Sequence, residues 1–436
     1  MYDRRIAVVG TGYVGLTTGA CLASLGHRVV CADVDALKVA RLRAGQVDIL
    51  EPGLAELVTQ GMAAGRLEFV VGARDAVENA EVVFLCLPTP MGAGGAADLS
   101  AVESVAAEVR EVLPYGCVVV CKSTVPVGTS TRVAALLQRE DIAVVSNPEF
   151  LREGSAVRDF LHPDRIVVGS DSPQAAERVG ALFSKLGAPT VLMDAASSEM
   201  VKYAANCFLA MKLSYVNAVS ELCELLGADV TSVCEGMGYD RRIGQSFLKP
   251  GPGWGGSCLP KDTHAMVRIA EAVGVDFGLI TSTIEANTRT QQRVVAKVRD
   301  AVGGDLAGVR IGVLGLAFKA GTNDLRDSPS LAVAELLAFE GAELLAYDPE
   351  ISRPLAGMTV VDDPYAAVQG AKAVVLLTDW PEFRTLDWVK VAALMDGVTV
   401  LDTRNDLDPD ALHLAGLKLQ GVGRAPSTRP EVPDHV

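Results

Sequence analysis

The sequence predicts an α/β protein: two doubly wound parallel sheets joined by a long central helical segment. Three observations carry the prediction. A short apolar run, Arg4 to Val9, ends in the turn Gly10-Thr11-Gly12-Tyr13-Val14-Gly15 and passes into a helical pattern reaching Leu25. A second strand-helix series starts at Arg310-Ile-Gly-Val-Leu-Gly315. Between them, Ala195 to Leu226 reads as one long helix. Strands that alternate with helices in this way form parallel sheets covered on both faces, so both halves are expected to be Rossmann-like domains.

The first turn has the context that gives a Gly-x-Gly-x-x-Gly triplet meaning. A strand precedes it and a helix follows, so a pyrophosphate can rest against the helix N-terminus. The next strand, Arg28 to Ala32, ends in Asp33. An acid at that position hydrogen-bonds an adenosine ribose and repels a 2′-phosphate, which makes NAD the expected cofactor rather than NADP.

Further apolar strands are expected at Val82 to Leu87, Cys117 to Cys121 and Ile142 to Ser146. In such a sheet ligands bind beyond the carboxyl ends of the strands. Two ends carry polar punctuation, Pro88-Thr89-Pro90 and Lys122-Ser123-Thr124. Thr124 is placed either to hold a water or substrate hydroxyl or to cap the helix after Gly128. Asn147-Pro-Glu149-Phe-Leu-Arg-Glu153-Gly154 follows the third strand. If it forms a helical turn, Glu149 and Glu153 share a face, a geometry usable for proton transfer.

The long helix has Ser197 or Ser198 available as its cap, and Lys202 and Asn206 lie one turn apart on it. They offer an ammonium and an amide donor to a developing oxyanion. A second long helix is expected from Leu279 to Val302. Long helices between two α/β units commonly carry subunit contacts, so a homodimer or larger is expected. The domain division is then 1–195 for NAD binding, 196–304 for the central helical segment and 305–425 for a second α/β domain. A solvated tail is expected from about Gly423, in any case over 426–436.

The second series continues through strands near Glu343 to Tyr347, Ala373 to Thr378 and Thr399 to Asp402. It lacks the glycine triplet, so a second dinucleotide is not expected there. Lys319, Arg326 and Arg404 fall at or just after strand ends, where cations contact phosphate.

The stretch Gly253-Trp-Gly-Gly-Ser-Cys258-Leu-Pro-Lys-Asp262 sets one thiol among glycines, with an ammonium and a carboxylate shortly after it. It reads either as a site for a covalent nucleophile or as a tight turn after a helix with an ordinary cysteine. Of the nine cysteines, Cys21, Cys31, Cys86, Cys117, Cys121, Cys207 and Cys223 sit in apolar patterns, with no Cys-x-x-Cys and no metal-ligand spacing. No metal is expected. Free buried thiols fit a reducing cytoplasm, and the start, Met1-Tyr-Asp-Arg-Arg, runs straight into a strand, as a chain without a signal peptide does. The net charge of −15 argues against nucleic acid and anionic membranes as partners. The apolar-rich stretch Tyr203 to Gly227 is interrupted by Lys212, Glu221 and Glu224, so it is not a membrane span.

Taken together, these stretches resemble the nucleotide-sugar 6-dehydrogenases, most closely the UDP-glucose 6-dehydrogenases. The resemblance runs in order through Gly10 to Gly15, Ser123-Thr-Val-Pro-Val-Gly-Thr129, Asn147 to Gly154, Glu199-Met-Val-Lys-Tyr-Ala-Ala-Asn206, Gly255 to Asp262, Phe318-Lys319 and Arg326. It implies a four-electron oxidation of UDP-glucose at C6 with NAD used twice. Cys258 would trap the aldehyde as a thiohemiacetal, and water would hydrolyse the thioester formed next. By the same resemblance Lys202 and Asn206 stabilise oxyanions, Asp262 and Thr124 position the water, and Glu149 and Glu153 handle protons.

The resemblance also implies NAD contacts from Gly10, Gly12, Tyr13, Val14, Gly15, Asp33, Lys38, Pro88, Thr89, Ser123, Thr124, Glu153, Lys261 and Arg326. Substrate contacts are implied for Glu149, Phe150, Leu151, Lys202, Asn206, Phe247, Leu248, Lys249, Gly255, Cys258, Phe318, Lys319 and Arg404. Arg242 is implied as a further substrate contact, reaching into a neighbouring subunit's site. Three positions depart from the family pattern: Trp254 stands where Tyr or Phe is usual, Asn323 where Asp is common, and Thr403 where Gly is frequent. GDP-mannose and UDP-N-acetylhexosamine dehydrogenases share the cysteine logic and compete as readings. A single-step dehydrogenase of 6-phosphogluconate type needs no thiol. A silent nucleotide-sugar sensor would show binding without turnover.

Overall fold

The structure is a computed structural model and describes residues 3–424. By internal contacts the chain divides into two units. The first runs to Ala205 and adds His264–Asp276; the second comprises Asn206–Thr263 and the chain from Phe277 onward.

The first unit is organised by an eight-stranded sheet. Its strands are β1 (Arg5–Val9), β2 (Arg28–Asp33), β3 (Leu67–Val71), β4 (Val82–Leu85), β5 (Val118–Cys121), β6 (Ala143–Ser146), β7 (Ile166–Gly169) and β8 (Thr190–Met193). They lie in the order β3-β2-β1-β4-β5-β6-β7-β8. Alternate residues feed two cores, one on each face. Ile6 and Val8 join Val29, Phe84 and Val120 on one side, and Ala7 and Val9 join Val83, Leu85 and Val119 on the other. Burial on both faces is why these strands read as unbroken apolar runs.

The expected all-parallel sheet needs one correction, because β7 runs antiparallel to β6 through the single pair Ser146 and Gly169. β8 then pairs parallel with β7. The edge strand β8 is largely exposed although Val191, Leu192 and Met193 are apolar.

The second unit carries a six-stranded parallel sheet: β9 (Arg310–Leu314), β10 (Glu343–Tyr347), β11 (Thr359–Val360), β12 (Ala373–Leu376), β13 (Thr399–Asp402) and β14 (Lys418–Gly421). The order is β11-β10-β9-β12-β13-β14. Ile311, Val313 and Val375 face one core, where Val294, Val295 and Val298 of the helix Gly278–Ala301 pack. Leu314, Val374 and Leu376 face the other.

The long helix spans Ala195–Leu226, as its periodicity predicts. Its cap is not Ser197 or Ser198. Asp194 takes that role, accepting from Ser197 N at 2.8 Å and from Ser197 Oγ at 2.7 Å. An Asp one residue ahead of the helix reaches the free first-turn N–H groups, whereas the serines are already inside the first turn.

The chain end also differs from expectation. Gly423 O accepts from Val230 N, Gly423 N donates to Glu224 at 2.7 Å, and Arg424 Nη2 donates to Thr231. Gly423 and Arg424 are therefore tied down, while the tail predicted for 426–436 lies outside the described residues. Among the described residues no helix is long and apolar enough to cross a membrane.

Candidate functional site

Steric demand explains two of the three turn glycines. A Cβ at Gly10 would meet Cys86 O at 2.4 Å, and one at Gly15 would meet Gly10 O at 1.8 Å. Gly12 is different, because its Cβ would meet nothing within 4 Å. It is the N-cap of the helix Tyr13–Ser24, so the bare position faces open space where free N–H groups are aimed. That is the cradle a pyrophosphate needs.

Asp33 ends β2 and is held in place by its own unit. Its Oδ2 accepts from Thr11 N at 3.0 Å, Thr11 Oγ1 at 2.5 Å and Lys38 Nζ at 3.1 Å, while Oδ1 accepts from Asp35 N. Burial pushes the carboxyl up, but the Thr11 hydroxyl, the two N–H groups and Lys38 together hold it at about 2. A permanently charged acceptor with spare capacity on Oδ1 suits a ribose diol. These residues fit NAD.

Tyr13 and Val14 complete the turn. Val14 packs on the core. The Tyr13 hydroxyl donates to Glu51 and accepts from Gly154 N at 2.8 Å, which ties the glycine turn to the Glu149–Gly154 segment. Glu51 also accepts from Val157 N. No local pattern marked this buried acid. Its partners lie 38 and 106 positions away.

The polar strand ends knit together. Thr89 Oγ1 donates to Thr124 O at 2.9 Å, and Ser123 Oγ donates to Leu87 O at 2.7 Å, with Pro88 between them. Thr124 is buried and does not cap the helix Thr129–Leu137. That helix starts on Glu199, whose carboxylate accepts from Gly128 N, Ser130 N and Ser130 Oγ at 2.6 to 2.7 Å. Burial pushes the Glu199 carboxyl up despite those donors. Sequence reasoning does not single out Glu199 as the group on which this helix starts. The available signal was its place one turn before Lys202.

The segment after β6 forms no helical turn through Glu149, so Glu149 and Glu153 do not share a helical face. Pro148 and the long-range partner of Glu149 account for the difference. Glu149 is buried; Oε1 accepts from Lys202 Nζ at 2.9 Å and Oε2 from Leu151 N at 2.6 Å. Burial pushes Glu149 up, but the Lys202 ammonium, the Leu151 N–H and Lys122 outweigh it and hold the carboxyl low. Lys202 Nζ lies 5.4 Å from the Phe150 ring centre, and Arg165 stacks on the same ring at 3.6 Å. Glu153 is half-buried in the turn that follows.

In the second unit, Cys258 opens the helix Leu259–Ala272, and its carbonyl accepts from Asp262 N at 3.0 Å. The turn therefore precedes a helix rather than following one. Eight of the nine cysteines are buried and Cys258 is half-exposed. Anionic charge at this position lies at the positive end of a helix dipole. Asp262 is buried at 1 % exposure and accepts from Asn206 Nδ2 at 2.6 Å and Lys261 Nζ at 2.5 Å. Asn206 lies one helical turn beyond Lys202 on the long helix.

The glycines before the thiol are required sterically. A Cβ at Gly255 would meet Asp327 O at 1.9 Å, and one at Gly256 would meet the Phe318 ring at 2.8 Å. Lys319 Nζ lies 5.4 Å from that ring centre. Trp254 is buried, and its indole donates to Ser214 Oγ on the long helix. Arg326 makes a fork with Asp324 at 2.6 to 3.0 Å. Asn323 is exposed, and Thr403 Oγ1 donates to Leu376 O at 2.7 Å.

Arg404 donates through Nε to Leu377 O at 2.7 Å, and its buried Nη2 has no partner among the described residues. A Cβ on Gly251 would lie 3.2 Å from Nη1. Phe247 has a positive φ of 61°, Leu248 is buried and Lys249 is exposed. Lys212, not anticipated, fastens this loop by donating to Ile243 O and Ser246 O. Arg242 is 88 % exposed and forked onto Asp240.

Comparisons with known proteins agree across the chain. Three family descriptions match: UDP-glucose/GDP-mannose dehydrogenase family, NAD binding domain over residues 4–187, central domain over 196–289 and UDP binding domain over 312–409. A UDP-glucose 6-dehydrogenase of Rhizobium meliloti (strain 1021) is 43 % identical, over 96 % of this chain and 99 % of that one. A solved UDP-glucose dehydrogenase from Pyrobaculum islandicum is 38 % identical at a TM-score of 0.89, covering 97 % and 98 %. A solved UDP-D-ManNAc dehydrogenase from Pyrococcus horikoshii is 29 % identical at 0.87, covering 96 % and 99 %.

Proposed function

The chain belongs to the UDP-glucose/GDP-mannose dehydrogenase family, and from that premise we propose that this NAD-dependent oxidoreductase converts UDP-glucose to UDP-glucuronate through covalent intermediates on Cys258. The single observation that carries the covalent reading is Cys258 itself, the half-exposed thiol among nine, set at a helix N-terminus beside the Asn206–Asp262–Lys261 cluster. The relatives named for UDP-glucose, at 43 % and 38 % identity, favour that sugar over N-acetylmannosamine, named at 29 %.

The overall change is CH2OH to carboxylate, with one water consumed and four electrons leaving as two hydrides. NAD, held by Gly10–Gly15, Asp33 and Lys38, supplies the hydride acceptor for each oxidation. Cys258 Sγ adds to the aldehyde carbon and prevents its escape. The thioester formed next is activated toward water. Lys202 and Asn206 donate toward the oxyanions, and Asp262 and Thr124 orient the water. Glu149 and Glu153 accept and return protons.

Phe150, Leu151, Phe247, Leu248, Lys249, Gly255, Phe318, Lys319 and Arg404 contact the substrate in this reading. The unpartnered Arg404 Nη2 supports an anionic or carbonyl ligand there. Pro88, Thr89, Ser123, Lys261 and Arg326 complete the cofactor contacts.

The working division is a cofactor domain at 1–195, a central helical domain at 196–304 and a nucleotide-sugar domain at 305–425. We also infer a homo-oligomer, at least a dimer. Phe208, Tyr215 and Leu222 recur every seven residues along the long helix and are each more than half exposed, with Leu225 and Leu226 beside them. Residues at this spacing lie along one face of the helix, and an exposed apolar stripe of this kind suits contact with a second subunit. The exposed Arg242 is available to a neighbouring subunit. Eight buried cysteines outside any disulfide support a cytoplasmic setting.

The test is NADH released per sugar nucleotide consumed, with UDP-glucose, GDP-mannose and UDP-N-acetylglucosamine compared. The expected result is about two NADH per UDP-glucose, with turnover falling by roughly a thousandfold or more in Cys258→Ala. One NADH per sugar, or full turnover in that variant, overturns the covalent reading.

A further inference from the structure

Lys122, at the end of β5, is 5 % exposed, and its ammonium makes no ion pair within hydrogen-bond distance among the described residues. It donates to Asn147 Oδ1 at 3.0 Å and lies 6.0 and 5.8 Å from the ring centres of Phe160 and Phe183. Asn147 passes the restraint on, donating through Nδ2 to Val167 O at 2.7 Å and through N to Cys121 O at 3.0 Å. Lys122 thus anchors the root of the segment that carries Glu149. The titratable groups that face it are Cys86, Glu149 and Lys202.

A buried ammonium without an ion-pair partner costs stability. The balance of charge shows a use. Cys86 is pushed up to about 12, chiefly by burial, and stays neutral. Lys202 and Glu149 alone form a neutral pair with little field left for a third group. With Lys122 the cluster carries one net positive charge, and a low-dielectric interior gives that charge long reach.

We propose that Lys122 is a positioning residue of this site: its buried ammonium anchors the root of the Glu149 segment through Asn147 and adds a second positive charge beside the Lys202–Glu149 pair, strengthening the field on the oxyanion that develops on the substrate. The inference rests on the roles of Lys202 and Glu149 proposed above. Burial pushes Lys122 down to about 8, with Lys202 lowering it further and the Glu149 carboxylate opposing the shift. Its charge is therefore present at neutral pH and lost as pH rises through about 8. Because this pKa lies below that of an unfolded lysine, stability rises from pH 8 toward 10.5. At neutral pH the buried charge weakens the fold.

The test combines Lys122→Met, Lys122→Arg, Glu149→Gln and the double variant Lys122→Met/Glu149→Gln, with kcat and KM read from NADH release on UDP-glucose. Lys122→Met is expected to lower kcat about tenfold or more. Its KM for NAD should stay within about threefold, and its Tm should not fall. Arginine at 122 should restore most of the rate and remove the decline in kcat above pH 8. The Met substitution should add nothing once Glu149 is Gln, because groups acting through one another are non-additive. Wild-type kcat in Lys122→Met, a loss that multiplies in full onto Glu149→Gln, or a folded Arg variant that restores nothing each overturns the proposal. Undiminished turnover in Cys258→Ala would instead remove the covalent reading, so the two failures are distinguishable.

Discussion

The two sheets place an aspartate at the same station and use it differently. Asp33 ends β2 and Asp348 follows β10, and each accepts backbone N–H groups from the turn after the first strand of its sheet. Asp33 keeps 13 % of its side chain exposed and leaves capacity on Oδ1. Asp348 is closed off. Its Oδ2 accepts from Leu316 N, Ala317 N and Trp380 Nε1 at 2.7 to 3.1 Å, and Oδ1 from Glu350 N. The route after the first strand differs as well. In the first unit the glycine turn enters the helix Tyr13–Ser24 at once, while in the second a loop bearing Phe318, Lys319 and Arg326 precedes the helix Pro329–Phe339. One scaffold presents helix N–H groups to a ligand, and the other seals that end and presents side chains.

The largest expected effect breaks the first turn. Gly15→Ala puts a methyl group 1.8 Å from Gly10 O and 3.0 Å from Cys86 Cβ, so the turn must open. Loss of folded protein or of all NAD binding is expected, read by thermal melting and cofactor titration. Gly12→Ala is the control, since its Cβ meets nothing. Its stability should stay within about 0.5 kcal/mol of the parent, while NAD affinity drops roughly tenfold or more if the pyrophosphate approaches there. Unchanged NAD affinity in Gly12→Ala would remove the cradle.

A matched pair sharpens the contrast between the acids. Asp348→Asn should cost about 1–3 kcal/mol of stability, because a buried acceptor of four donors cannot be replaced in full by an amide. Its KM for NAD should not move. Asp33→Asn should do the reverse, weakening NAD roughly tenfold through the lost charge-assisted bond, with a smaller loss of stability. If both variants shift KM for NAD equally, the functional difference between the two ends is wrong.

What the sequence disclosed follows the same division. Local pattern was enough for the glycine turn, for Asp33, for the bounds of the helix Ala195–Leu226 and for Lys202 and Asn206 as neighbours on it. Residue partners were not legible, because distant segments decide them: Lys202 meets Glu149 across 53 positions and Ser130 meets Glu199 across 69. The same reason explains why the Glu149 segment is not a helical turn. Its carboxylate is taken by Lys202 and Leu151 instead of lining a helix face. The helix cap went to Asp194 because capping depends on side-chain reach at the boundary, and periodicity locates a boundary only to within a residue or two.

The smallest expected effect separates the two sheets by pH. Asp33 is held at about 2, since the Thr11 hydroxyl, backbone N–H groups and Lys38 overcome the burial that raises it. Its contribution is full above the ordinary aspartate value of 3.8 and is lost as pH falls through about 2. Asp402, at the end of β13, moves the other way. Burial raises it more than the N–H groups of Leu407, Arg404 and Asp406 lower it, and the Asp406 carboxylate adds to the rise. The folded state then binds a proton at a pH where the unfolded chain does not, so this group adds stability as pH falls toward 3.8. Mild acid should strengthen the surroundings of Asp402 before it weakens those of Asp33. Hydrogen exchange between pH 6 and 3 resolves the two, with amide protection at Asp406 and Leu407 rising while that at Thr11 holds. A parallel decline in both would mean that Asp402, despite its burial, is held as a carboxylate as firmly as Asp33.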